Sequence, residues 1–308
     1  MAFRSGFIAL IGRPNMGKST LLNRLVGEKI AITSSVAQTT RHRIRGIITL
    51  PEKGQLVLMD TPGFSKPLDE LGTYLTDEGQ AALKEADAVM VVVNIGEMPG
   101  KGDEWVIRQA KTSQKYILLV LNKSDLIKKN AAKKAHHVKA YEDLMGDYPS
   151  FHTVLVSAQT GRNMDKIPSL LLRQMPKGPQ YYEADALTDQ RYREMAAEAI
   201  REKVMRLTQE ELPHSVAVHI NKYTETPERT TIDATLYVNQ DSQKGMIIGQ
   251  KGQMIKQIGT EARKDLETLI QTKVRLDLHV KVRKNWRKDS EFLKSLGMAT
   301  DFAQNTSN

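Results

Sequence analysis

Apolar residues gather into short, nearly continuous runs at Phe7 to Ile11, Leu56 to Met59, Ala88 to Val93, Ile117 to Leu121 and Val154 to Val156. Runs of this length suit buried strands, and the segments between them are long enough for helices, which predicts repeated βαβ units. Strands that are apolar throughout, without alternation, imply a mostly parallel sheet covered by helices on both faces. Arg43 to Leu50 is a candidate edge strand. The pattern fails near Met175 to Gln190, where Pro176, Gly178 and Pro179 fall within four residues, so residues 175–190 are expected to link a domain at 1–174 to a second at 191–308. In the second, the pattern predicts a helix from about Arg191 to Leu207 and strands at Ser215 to Ile220 and Thr231 to Val238. A glycine-rich turn between Gly245 and Gly252 then opens a helix reaching about Ile270. From Val274 to Val282 apolar and polar residues alternate, as in a half-exposed strand. The order α, β, β, helix pair, β describes an α+β module.

A chain of 308 residues fits two domains better than one core. Hydrophobic residues at 40% and charged residues at 26% are the balance of a folded globular protein. The absence of cysteine excludes disulfides, thiolate metal sites and cysteine nucleophiles, and agrees with a reducing compartment. No apolar run approaches the roughly 18 residues of a membrane span. A signal peptide at Phe7 to Ile11 would be cut away together with the loop that follows it. These features predict a cytoplasmic protein. The net charge of +9 is concentrated at Lys244 to Lys288, with 12 basic and 4 acidic residues, and that stretch is the place to expect a polyanion.

Gly12, Arg13, Pro14, Asn15, Met16, Gly17, Lys18 and Ser19 match the phosphate-loop pattern between a predicted strand and helix, with Thr20 following in the same site. Backbone N–H groups and the helix dipole would form an anion nest; Lys18 would reach the β and γ phosphates and Ser19 a Mg²⁺ ion. Asn122, Lys123 and Asp125 follow a strand. Asp125 can accept from guanine's ring N–H and exocyclic amine, whereas adenine presents an acceptor there. Asn122 is expected to brace the loop, and Ser157 and Ala158 to offer backbone N–H groups to the base oxygen. Asp60, Thr61, Pro62 and Gly63 end another strand, placing a carboxylate near the metal and an N–H near the γ phosphate. A switch hydroxyl is expected from Thr39 or Thr40, with Thr40 preferred. Arg41, Arg43 and Arg45 are candidates for catalysis or partner contact, although a solvated edge strand explains them as well.

With these residues assembled, the chain resembles the Era family of ribosome-associated GTPases over essentially its whole length. The resemblance implies a slow GTPase binding GTP or GDP with Mg²⁺, with Lys18, Asn15, Thr40 and Gly63 as its catalytic group. Phe64 stands where Ras-type GTPases carry a water-orienting glutamine, and an apolar ring cannot align water. In several relatives the asparagine corresponding to Asn15 helps hold a potassium ion, which makes K⁺ a candidate cofactor here.

Gly249, Gln250, Lys251 and Gly252, preceded by Gly245 and Ile248, resemble the Gly-x-x-Gly loop of a type II KH domain, which clamps about four unpaired nucleotides. Lys281, Arg283, Lys284, Trp286 and Arg287 add charge and one aromatic ring for phosphates or stacking; a lone tryptophan is more often packing. The expected architecture is therefore an α/β P-loop GTPase domain followed by a type II KH domain. The family resemblance implies the 3′ end of small-subunit ribosomal RNA and the 30S-type subunit as partners, a monomeric protein, and a peripheral contact with the inner membrane. Two functions fit these residues: a GTP-hydrolysing switch in small-subunit maturation, or an RNA-binding assembly chaperone with a structural nucleotide and incidental hydrolysis. GTPases of transfer-RNA modification end in a functional cysteine, and double-domain GTPases carry two phosphate loops; neither feature is present here.

Overall fold

A computed structural model describes residues 2–33, 40–63, 68–127, 130–208 and 212–298. It separates into two compact units; the second takes the chain from Gln190 onward and also the segment Leu68–Tyr74.

The first unit is a six-stranded sheet of order β2-β3-β1-β4-β5-β6. Its strands are β1 (Arg4–Ile11), β2 (Ile44–Leu50), β3 (Gly54–Asp60), β4 (Ala88–Asn94), β5 (Tyr116–Asn122) and β6 (Phe151–Leu155). All neighbours pair in parallel except β2, which runs antiparallel to β3 at the edge. Helices α1 (Lys18–Val26), α3 (Lys101–Thr112), α4 (Ala131–Met145) and α5 (Lys166–Gln174) belong to this unit, as does α2 (Glu70–Glu85) from Leu75 onward. Burial on both faces accounts for the uninterrupted apolar strands. Ala9, Val89, Val91, Ile117 and Leu119 pack with Ala82, Ile107, Ala110 and Tyr141, while the alternate residues Ile8, Leu10, Leu56, Met90 and Leu118 are fully buried as well. Strand order reverses at β1, so the loop leaving it opens into the crevice where α/β sheets bind ligands.

Of residues 175–190, expected as a linker, the stretch 176–189 is strapped to this unit. Gln55 is completely buried in β3, and a buried amide must have partners. It donates to the Tyr182 carbonyl at 2.9 Å and accepts from the Tyr181 and Tyr182 N–H groups at 2.8 and 3.0 Å. Ile47 N–H donates to the Leu187 carbonyl at 2.9 Å, and Arg45 pairs with Asp189 at 2.8 Å. The strap thus satisfies backbone at the β2 edge that would otherwise be exposed.

The second unit has the expected element order. Helices α6 (Tyr192–Leu207) and α7 (Leu212–Ser215) precede strands β7 (Ala217–Glu225) and β8 (Arg229–Val238); α8 (Asp241–Ile248), α9 (Gln253–Ile270), β9 (Lys273–Val282) and α10 (Ser290–Ser295) follow. Its sheet has the order β7-β8-β9, antiparallel then parallel. One core joins Ala196, Ile200 and Val204 of α6 to Ile232, Leu236, Ile258, Ala262 and Leu266. Lys203 also bridges α6 to Asp265 of α9 at 2.6 Å.

Candidate functional site

The phosphate loop is built where the order of strands requires it. Gly17 sits at φ +89°, and a Cβ there would lie 2.6 Å from Asn122 Nδ2, so glycine is demanded by conformation and space. Lys18 is buried and its Nζ donates to the loop's own carbonyls, Gly12 at 3.2 Å and Arg13 at 3.4 Å. Burial pushes its pKa down, with the Asp60 charge opposing. The site therefore stores a costly buried cation that polyphosphate would stabilise.

Ser19, Thr40 and Asp60 converge opposite Lys18. Ser19 Oγ donates to Asp60 Oδ2 at 2.7 Å, Thr40 Oγ1 donates to the same oxygen at 3.2 Å, and the two hydroxyls are 3.0 Å apart. Asp60 is fully buried, and its Oδ1 has no hydrogen-bond partner among the described residues. Burial pushes its pKa up, against the pull of Lys18 and both hydroxyls. An unpartnered carboxylate oxygen beside two hydroxyls fits a hard divalent cation. Gly63 lies against Pro14 of the phosphate loop. Thr39 and Phe64, named from the sequence, lie outside the described residues.

Asn122 supplies the brace expected of it. Its Nδ2 donates to the Met16 carbonyl at 2.9 Å and its Oδ1 accepts from Ala158 N–H at 3.0 Å. An aspartate could make the second bond but would leave the Met16 carbonyl facing a carboxylate, at a cost of about 1–3 kcal/mol for the unsatisfied group. Asp125 is held by the Ser157 hydroxyl, which donates to its Oδ1. Lys123 takes φ +61° at the bend between them.

Several expectations need correction. Ser157 N–H donates to the Arg162 carbonyl at 3.1 Å and Ala158 N–H to Asn122, so Ala158 reaches a base oxygen only by sharing its proton. The Thr61 hydroxyl is committed to the Leu10 carbonyl at 2.7 Å and is fully buried, which makes it a strut. Arg43 pairs with Glu78 and Glu85, and Arg45 with Glu85 and Asp189, while Arg41 is buried. Arg43 and Arg45 thus hold the β2 edge to its neighbours and do not present free charge. Pattern reasoning missed the Arg13 anchor: its Nε donates to Asp103 at 2.9 Å, and Asp103, almost wholly buried, also accepts from Gly100 N–H at 3.0 Å at the start of α3. No local signal joins residues ninety positions apart. His137 is buried and bonds the Ile95 carbonyl at 2.8 Å, whereas His136 is exposed; no metal-binding cluster of histidine and acidic residues occurs among the described residues.

In the second unit, Gly249 and Gly252 have φ of +70° and +78° and bracket Lys251 at +47°. This backbone turns sharply between α8 and α9 and leaves Gln250 and Lys251 exposed. Lys281 and Lys284 are exposed and Arg287 is half-buried. Arg283 pairs with Asp289 at 2.6 Å and lies 4.3 Å from the Phe292 ring centroid. Trp286 cannot be a stacking platform: it is fully buried, its Nε1 donates to the Ser215 carbonyl at 2.9 Å, and its ring meets Phe292 edge-on. Large aromatic rings bury more free energy as core than they gain by waiting in solvent.

Comparison with known proteins agrees with both units. Residues 7–123 match the model of the 50S ribosome-binding GTPase family, and residues 211–287 that of the KH domain. GTPase Era of Lacticaseibacillus paracasei is 44% identical, with 96% of this chain and 97% of the relative covered. GTPase Era of Geobacter metallireducens is likewise 44% identical, over 96% and 98%. The structure of Aquifex aeolicus Era bound to GDP and aluminium fluoride superposes with a TM-score of 0.92 at 35% identity, covering 97% of this chain and all of that one. A structure of Era with MgGDPNP and nucleotides 1506–1542 of 16S ribosomal RNA matches with a TM-score of 0.90 at 35% identity, with the same coverage. With a guanine-nucleotide site and a KH module joined in one chain, and relatives matching both from end to end, this protein belongs to the Era family of GTPases and hydrolyses GTP.

Proposed function

We propose that this GTPase is a slow switch whose nucleotide state governs how the KH module holds single-stranded RNA near the 3′ end of small-subunit ribosomal RNA, during assembly of that subunit. The observation that carries the reading is the meeting of Ser19, Thr40 and Asp60 around an unpartnered buried oxygen. Thr40 comes from the segment between α1 and β2, so a site completed by that hydroxyl couples the shape of the segment to what is bound. The Era relative solved with both MgGDPNP and 16S ribosomal RNA supports the pairing of ligands. Ser19, Thr40 and Asp60 would hold Mg²⁺, which when bound neutralises phosphate charge. Lys18 would then exchange its carbonyl partners for phosphate oxygens, and Gly63 would offer its N–H to the γ phosphate. The protein would work in the cytoplasm as a monomer beside the 30S-type subunit. A peripheral membrane contact belongs to the same reading; no helix among the described residues is long and apolar enough to cross a bilayer.

The test is RNA affinity with a GTP analogue, with GDP and with no nucleotide, together with single-turnover hydrolysis with and without small subunits. A switch requires affinity to differ between states and subunits to accelerate hydrolysis. Equal affinity in all three states with an unchanged rate would favour the chaperone with a structural nucleotide.

Asn15 is exposed at the tip of the phosphate loop at φ +64°, and its side chain makes no hydrogen bond among the described residues. That exposure supports the reading that Asn15 helps hold K⁺ where an arginine finger would otherwise supply charge, a contribution of roughly 10³ to 10⁵ in rate. Hydrolysis should therefore be faster in K⁺ than in Na⁺, and Asn15→Ala should erase the difference. Equal rates in both salts, unchanged by the substitution, would remove the potassium assignment.

A further inference from the structure

At the foot of the KH unit, far along α9 from the Gly-x-x-Gly loop, lies an open cleft of about 780 Å³. Arg229, Arg263, Lys273 and Arg275 line it, with Glu267 as the acid among them. Glu267 is engaged, since one carboxylate oxygen accepts from Val274 N–H at 3.1 Å. Arg275 is paired with Asp277 at 3.0 Å. Arg229, Arg263 and Lys273 have no ion-pair partner among the described residues, and all three are exposed. Three unneutralised cations from three elements, the start of β8, the outer face of α9 and the start of β9, thus converge on one concavity. Arg229, Arg263, Lys273 and Arg275 outnumber the carboxylates beside them, Glu267 in the lining and Asp277 on Arg275, and a concavity with such a net positive charge raises the local concentration of anions.

We propose that this cleft is a second RNA-phosphate subsite, which catches the chain after it leaves the Gly-x-x-Gly clamp. The inference rests on the RNA-binding reading above and adds a place where the RNA continues. Helix α9 begins directly after the clamp and ends at the cleft, and its 18 residues span about 27 Å at 1.5 Å per residue. The four nucleotides or so that a KH loop holds belong to the clamp itself, so the subsite concerns a longer strand. The donors are two guanidinium forks and an ammonium, with no aromatic ring among the lining residues. They suit phosphate oxygens and not base edges, so the contact should be indifferent to sequence.

The test compares the full-length protein with the double variant Arg229→Gln, Arg263→Gln on two probes. One is an RNA of about four nucleotides, the length held by a clamp of this kind. The other is the RNA of nucleotides 1506–1542 found with the relative. Neither arginine is in an ion pair or in the nucleotide site, so GTP hydrolysis should be unchanged. The expected result is unaltered binding of the short RNA and about tenfold weaker binding of the long one. The salt slope for the long RNA should fall by about 1.4, for two lost contacts at about 0.7 each on single strands. Rescue by Arg229→Lys, Arg263→Lys would show that charge is what matters. Unchanged affinity and slope for the long RNA would overturn the subsite and leave the cleft to an acidic protein surface. Equal weakening of both lengths would also overturn it, since the effect would then not be local to the cleft. If the unaltered protein binds neither RNA, the RNA reading itself falls and the subsite with it; if it binds both and the variant matches it, only the subsite falls.

Discussion

Asp125→Asn is expected to lower GTP affinity by about 10⁴, the scale of discrimination when a polar contact in a buried site is mismatched, and to confer binding of xanthosine triphosphate. A carboxylate has about four acceptor positions, and the Ser157 hydroxyl occupies one on Oδ1, leaving the rest for guanine's ring N–H and amine. An asparagine would turn an N–H donor toward that amine, placing donor against donor. Xanthine carries a carbonyl where guanine carries the amine and would accept from the same group. The Ser157 hydroxyl can still donate to an asparagine oxygen, so the loop should keep its shape and the loss should be specific to the base. Competition between the two triphosphates reads the effect. Undiminished GTP affinity in the variant would sink the assignment of Asp125 as base reader.

The chemistry of the nucleotide site was legible because each motif sits at the end of a strand, and strand ends are marked by the apolar runs that precede them. The brace at Asn122 could be expected from its residue type, because an amide can donate and accept at once. What could not be read is whatever depends on partners remote in sequence. Ala158 N–H looked free because nothing local shows that Asn122 Oδ1 already accepts from it. Arg45 looked like a solvated charge because its partner Asp189 lies far along the chain. Gln55, a polar residue inside an apolar strand, was the one visible sign that another segment must cross it; its three hydrogen bonds to residues 181 and 182 show why the proline- and glycine-containing stretch follows the sheet surface. At Trp286 the packing reading of a lone tryptophan is the one the structure shows. Its basic neighbours suggested a nucleic-acid surface, yet the ring is buried against Phe292 and Arg287 is half-buried and paired with Asp69 at 2.6 Å, while Lys284 and Lys288 remain exposed, because a chain can bury some side chains of a run and expose others.

The sharpest test of the RNA clamp is a single substitution, Gly252→Asp, which should weaken single-stranded RNA binding by two orders of magnitude or more, on the order of 3 kcal/mol, while leaving GTP affinity unchanged. The two glycines of the loop are not equivalent targets. A Cβ at Gly249 would lie 2.7 Å from Met254 Cβ and 2.9 Å from its backbone nitrogen, so any replacement there distorts the start of α9, and lost binding would say nothing about charge. A Cβ at Gly252 meets nothing within 4 Å. Its φ of +78° is costly for most side chains, yet aspartate and asparagine tolerate the left-handed region best. Gly252→Asn is therefore the matched control, since it carries nearly the same shape and the same backbone strain without the charge. If the loop grips phosphate, the aspartate repels the backbone it should hold, while the asparagine loses only the close approach that glycine permits and retains most of the affinity. Equal losses in the two variants would mean that conformation, not a phosphate contact, sets binding at this loop. Undiminished binding in both would mean that RNA is held elsewhere on the domain.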